Sequence, residues 1–280
     1  MLTARVVRLL RPHPGAAWAR TLAEVLGWTA LGGDRYAAGG VAVEFGAAWE
    51  EEDGGGGARG LDPTWELEAA PADWESALRG LCGLLGRTRA ELEGSVAWDA
   101  RGASLRFHDP AGGLTTLLHP TWRARAGRTG RALGRLLDGG GSPVVGVTLH
   151  VASLPRAQRL YRDALGLAPL RATPREARLD AGPLLLALRA ERRVGMVADA
   201  ARRGARGGAL VVHAGGVPAA AAALEAQGFG CRRHPDGTAR VRDADGHRLV
   251  LAPADAETSA PSRPRAGAAI HEFSTALEVP

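Results

Sequence analysis

Two histidines stand at matching places in two similar stretches. His150 closes the alternating run Gly146-Val147-Thr148-Leu149-His150-Val151, and His213 falls late in Ala209 to Ala214. In a run of period two, His150 shares a face with Gly146 and Thr148. An imidazole that titrates near neutral pH can move a proton, hydrogen-bond a ligand or hold a divalent ion. Two imidazoles alone leave a metal site incomplete, since catalytic zinc takes about three protein ligands. The pair is therefore expected to contact a ligand or to act as acid and base, with no metal assigned. Glu44, in Val43-Glu44-Phe45, supplies a strand carboxylate. It can receive a cationic group, or be satisfied by a nearby arginine. Trp49, Trp65 and Trp98 lie on or beside strands, where flat rings can stack on an aromatic ligand as readily as fill a core.

Composition removes several alternatives. The 35 basic residues are all arginine, and without lysine neither a Walker-type phosphate loop nor Schiff-base catalysis is available. Gly54 to Gly57, after the acidic run Glu50 to Asp53, then reads as a loop. No nucleophile-elbow pattern supports serine hydrolysis. Arg123, Arg125, Arg128, Arg131 and Arg135 against Asp138 carry four of the five net positive charges, so the rest is nearly neutral and nucleic acid is not an expected partner. Cys82 and Cys231 are too few for a disulfide framework, and no apolar run approaches the roughly 20 residues of a membrane span. A cytoplasmic protein, monomeric or homodimeric, is expected.

The elements that position these residues recur. In the second half a strand through Val147, Leu149 and Val151 leads to a helix carrying Leu160, Tyr161, Ala164 and Leu165, stopped at Gly166. Strand-like segments follow at Arg178 to Asp180 and Leu184 to Leu188. The order then restarts with a strand at Ala209 to Ala214, a helix from Pro218 to Gln227 and a hairpin over Asp245-Gly246. The first half repeats this less faithfully, with Leu26-Gly27 matching Leu165-Gly166 and Asp109 and Gly112 matching Asp243 and Gly246. Four βαβββ modules are expected: an α+β domain over 1–120, an Arg/Gly-rich linker over 121–142, a second such domain over 143–254 and a disordered tail over 255–280. Within the tail, Ile270, Phe273 and Leu277 share one helical face.

The second half resembles the glyoxalase/bleomycin-resistance/dioxygenase (vicinal oxygen chelate) superfamily. The carrying residues are Gly146 to Val151, Tyr161-Arg162-Asp163-Ala164-Leu165-Gly166-Leu167, Asp180 to Pro183 and Arg242 to Leu249, in order. The resemblance implies that paired modules form eight-stranded cups, and that active members hold a divalent metal through His, Gln or Glu on several strands. It places Gly146, Ala187, about Ala209 and Val250 at those positions in the second half, and Val7, Glu44, about Pro63 and Thr116 in the first. Only Glu44 offers a ligand of the usual kind, so neither metal nor other cofactor is expected. His150 and His213 would come to equivalent points of one cup. The implied function is the binding of a small, aromatic or drug-like molecule, as bleomycin-resistance proteins do. The alternative is a metal-independent isomerase, cyclase or lyase using His150 and His213.

Overall fold

The computed structural model describes residues 5–11, 14–46, 65–71, 73–99, 102–110, 113–119, 144–190 and 208–253. Trp49, position 63, the linker 121–142 and the tail 255–280 lie outside the described residues.

Local chemistry sets the elements. Strand β4 (Val41–Phe45) buries Val41, Val43 and Phe45 and leaves Ala42 and Glu44 on its other face, as period-two patterning requires. Helix α2 (Trp74–Leu85) begins at Asp73, whose carboxylate accepts from the Glu75 and Ser76 N–H groups at 3.0 and 3.2 Å, and ends at left-handed Gly86. Thr88 and Glu91 form a reciprocal capping box on the short α3 (Arg89–Gly94).

Four modules follow in chain order. The first is β1 (Arg5–Arg11), α1 (Ala16–Val25), β2 (Thr29–Gly32), β3 (Arg35–Ala38) and β4. The second is β5 (Trp65–Ala69), α2, α3, β6 (Val96–Asp99), β7 (Gly102–His108) and β8 (Leu114–Leu118). The third is β9 (Val144–Val151), α4 (Leu154–Gln158) continued by a wider π-turn over Arg159–Ala164, β10 (Ala168–Ala172), β11 (Glu176–Asp180) and β12 (Leu185–Ala190). The fourth is β13 (Ala209–His213), α5 (Val217–Ala226), β14 (Cys231–Arg233), β15 (Ala239–Arg242) and β16 (Arg248–Ala252). In each module the first strand runs parallel to the last.

The modules make two eight-stranded sheets, but not one per half. Sheet A has the order β14-β15-β16-β13-β1-β4-β3-β2, joining modules one and four. Sheet B has the order β10-β11-β12-β9-β5-β8-β7-β6, joining modules two and three. The expectation that 1–120 and 143–254 each close a cup of their own is thus corrected. Periodicity orders the modules along the chain, yet every module offers the same bare first-strand edge, so it cannot say which edges meet. The pairs that form are antiparallel, β1 with β13 and β5 with β9.

The main apolar core of the described residues draws on both sheets. It takes Leu9, Leu22 and Leu210 from sheet A's modules and Leu78, Leu149 and Tyr161 from sheet B's. Helix α1 packs on α2, and α5 on the π-turn after α4. Two buried polar ties cross the same divide. Arg11 Nη2 donates to Asp109 Oδ2 at 2.8 Å and its Nη1 to Thr115 Oγ1 at 3.0 Å. Gly113 lets this guanidinium approach, since a Cβ there would strike both Arg11 and Asp109. On the other side Tyr161 OH donates to Asp243 Oδ2 at 3.0 Å. Among the described residues no helix is long and apolar enough to cross a membrane.

Candidate functional site

On each sheet alternate residues pack against the helices and the others face its concave side, where several are buried as well. On β5 the core-facing residues are Leu67 and Ala69, so Glu66 and Glu68 face the cup. Their ladder partners are Thr148 and Gly146 on β9, and Thr116 on β8 pairs with Glu68. His150 and Arg189 are partners across β9 and β12. The middle of the sheet B cup is therefore built from carboxylates, hydroxyls and one imidazole.

These groups satisfy one another. Arg106 grips Glu66 with two bonds, Nε to Oε1 at 3.1 Å and Nη2 to Oε2 at 3.2 Å. The Thr116 hydroxyl donates to Glu66 Oε1, and the Thr148 hydroxyl to Glu68 Oε1 at 3.3 Å. His150 Nε2 lies 3.7 Å from Glu66 Oε2, with its side chain nearly buried. Burial by itself would raise the Glu66 carboxyl. His150 and Thr116, with the charges of Arg106 and Arg189, outweigh it and hold the group at about 2. Glu66 is thus an ionised carboxylate held almost entirely out of solvent. Beside it Glu176 gathers Arg178 at 2.7 Å and Arg189 at 3.0 Å; burial pushes its carboxyl up, and the two arginines more than reverse that.

The register also re-places the positions expected to hold metal. Gly146 lies seven residues before the helix cap Ser153, and Glu66 lies seven before Asp73. Around the paired Leu67 and Val147, Glu66 is the counterpart of Gly146. Module two therefore puts Glu66, not position 63, in that place. In sheet A, Ala209 pairs with Leu10, which makes Arg8 its counterpart rather than Val7; a bulge between Val6 and Arg8 shifts the count. The sheet B set is then Glu66, Thr116, Gly146 and Ala187, and the sheet A set Arg8, Glu44, Ala209 and Val250.

Neither set fits a divalent ion. Gly146, Ala187, Ala209 and Val250 carry no donor atoms, and the Thr116 hydroxyl and Arg106 guanidinium direct hydrogens at the one sheet B carboxylate. In sheet A, Glu44 accepts from Arg8 Nη1 at 3.1 Å and lies 3.7 Å from Arg35 Nε. Asp243, Asp245 and His247 bring three ligand-type atoms close together. They are a turn, however: the Asp243 carboxylate meets Tyr161, the His247 ring at 2.8 Å and the N–H groups of Asp245 and His247, while Asp245 accepts from the Ala152 N–H at 2.9 Å. Burial pushes the Asp243 carboxyl up, and His247 and Tyr161 bring it below its ordinary range.

The expected site residues scatter. His150 joins Glu66 in sheet B, whereas His213 stands opposite Arg5 in sheet A, so the two do not share a cup. The cross-half pairing of modules separates them. Trp98 pairs with Ala103, on the face away from Glu66, and is 74% exposed at the sheet edge, so it does not line the cup. Trp65 opens β5 opposite Leu149; its side chain is outside the described ones. Glu66, Glu68, Thr148 and Arg106 were missed by sequence reasoning. The signal was present in Trp65-Glu66-Leu67-Glu68-Ala69, an alternation that puts two acids on one face.

By sequence the chain matches no family model and no curated protein. Its fold does have counterparts. Glyoxalase I from Zea mays superposes with a TM-score of 0.53 at 16% identity, over 90% of this chain and 93% of that one. A mutant of that enzyme gives 0.56 at 15% identity, over 90% and 93%. A protein provisionally assigned as a dioxygenase from Bacillus subtilis gives 0.53 at 13% identity, over 89% and 84%.

Proposed function

We propose that this chain, which has the glyoxalase-type (vicinal oxygen chelate) fold, is a cytoplasmic binding protein that holds a small molecule in the sheet B cup without a metal. The observation that carries this reading is Glu66. It stands where the fold's metal ligands are expected, yet it is tied to Arg106 and kept ionised. A fixed carboxylate at low dielectric attracts a hydrogen-bond donor or cationic group more strongly than the same group in water. Glu68, Thr148 and His150 surround that point and supply the remaining polar contacts. The ligand is a compact molecule presenting an amine, amidine or hydroxyl to the cup. Its aromatic or drug-like body is carried over from the resemblance to bleomycin-resistance proteins.

A second reading is favoured by the 3.7 Å approach of His150 to Glu66. An imidazole next to a fixed carboxylate can pass a proton to or from a bound ligand, which suits a metal-independent isomerase, cyclase or lyase. Glu68 then replaces His213 as the second acid–base group. Loss of turnover in His150→Gln, with binding kept, separates this reading from simple binding.

The test begins with protein purified without chelator or histidine tag. Metal content is measured, and a small-molecule library is screened by thermal shift. Ligands that bind the parent should weaken about tenfold or more in Glu66→Gln and Glu68→Gln and be unaffected in His213→Ala. Near-stoichiometric bound metal, or equal affinity in both Glu variants, refutes the reading.

A further inference from the structure

The concave side of sheet A differs in kind from that of sheet B. Leu9, Val43, Leu210 and Val212 point into the main core, so Arg8, Leu10, Glu44 and Val211 face the other way. Across β1, β13 and β16 this side is apolar. Val211 and Ala252, with the half-buried Leu10 and Val250, form a cluster apart from the main core. Arg8, Val211 and Val250 follow one another across the three strands as ladder partners. A guanidinium thus stands at one end of an apolar strip that two strand spacings make about 10 Å long.

The charges at that end do not balance. Arg8 Nη1 donates to Glu44 Oε2 at 3.1 Å, and Arg35 Nε lies 3.7 Å from the same oxygen. Two guanidiniums therefore share one carboxylate. Glu44 is the only acid among the described residues of β3, β4, β1 and β13. The Arg35 Nε–H is also buried and makes no hydrogen bond among the described residues, a costly state for a donor. Arg8 and Glu44 hold two of the four places where the fold's metal ligands are expected, so the middle of this cup carries a cation of its own. A guanidinium is charged at every working pH, and its planar fork matches the two oxygens of a carboxylate.

We propose that the concave side of sheet A is a second binding site, for an organic acid with an apolar body. Its carboxylate meets Arg8 and Arg35, and its alkyl or aryl body lies over Leu10, Val211 and Val250. The experiment is calorimetric titration of the full chain with octanoate and phenylpropanoate, alongside phenylpropanamide and inorganic phosphate. Both acids should bind. The amide lacks the charge and phosphate lacks the apolar body, so each should bind about tenfold more weakly or less. Arg35→Gln should weaken both acids about tenfold, whereas Glu44→Gln removes the competing carboxylate and should tighten them. Glu66→Gln, in sheet B, should change neither, which separates this site from the other cup. Melting curves confirm that the variants are folded, and Arg8→Gln replaces Arg35→Gln if that one is not. No heat with either acid refutes the proposal, as does equal affinity in Arg35→Gln and the parent. Equal weakening in Arg35→Gln and Glu44→Gln overturns it too, because the ion pair then only holds the fold. Amide or phosphate bound as tightly as the acids overturns it in favour of a purely apolar or a purely anionic site.

Discussion

The Glu68 carboxylate occupies the space that a side chain at position 146 would fill: a Cβ on Gly146 would lie 2.9 Å from Glu68 Oε2. The missing ligand at 146 and the acid at 68 are thus one arrangement. Gly146→Ala should destabilise the fold by about 1 kcal/mol, measured by chemical denaturation, because the carboxylate end can shift whereas the Leu185 carbonyl at 3.2 Å has less room to give. Shortening the neighbour, in Gly146→Ala/Glu68→Ala, should recover part of that loss. A Gly146→Ala variant that melts like the parent would show that the carboxylate swings aside to admit the methyl group.

Glu66 sets an acid limb of stability. Its folded carboxyl lies at about 2, below the ordinary 4.5, so its ionised form favours the fold. That contribution, on the order of 3 kcal/mol, is fully present above about 4.5 and fades as pH falls towards 2. Glu66→Gln should be less stable than the parent at pH 7 and flatter between pH 5 and 3. Denaturation midpoints across that range test the sign.

Arg11 and Asp109 are buried together, with side chains 2% and 1% exposed. Burial pulls the guanidinium down and the Asp109 charge pulls it back. Asp109→Ala leaves that cation stranded and should cost about 3–5 kcal/mol. Replacing both partners, as in Arg11→Met/Asp109→Leu, should cost far less. A double-mutant cycle reads the coupling; simple additivity would count against a buried pair.

Tyr161 is entirely buried, and its hydroxyl donates to the Asp243 carboxylate. Burial, and then the Asp243 charge, hold its pKa well above the usual value, so it remains a donor throughout the neutral range. Tyr161→Phe should lower stability by about 1–2 kcal/mol while leaving the spectrum of the fold unchanged. A neutral result would mean that His247 and the turn amides suffice for Asp243.

The modules were legible because each repeats local signals: alternating strands, a helix stop at Gly27 or Gly166, a hairpin at Asp109 or Asp243. These are short-range features: α5 falls within a residue of its expected place, and β15 and β16 flank the expected hairpin. The pairing of modules was not legible, because it depends on contacts between edges that look alike. That error carried His213 into the wrong cup. Counting from the helix caps would have found Glu66, since Asp73 and Ser153 fix the same distance in both modules. Glu44 remained ambiguous in sequence because its partners, Arg8 and Arg35, come from two other strands.

The crossed assembly of the sheets makes the halves hostage to each other. A chain cut between β8 and β9 yields two fragments, each holding two half-sheets whose first strands present unpaired N–H and C=O groups. In the arrangement of the intact chain, neither fragment holds both halves of either sheet. Together they can rebuild the original by strand complementation, and two intact chains can trade halves to make an interlocked dimer from the same surfaces.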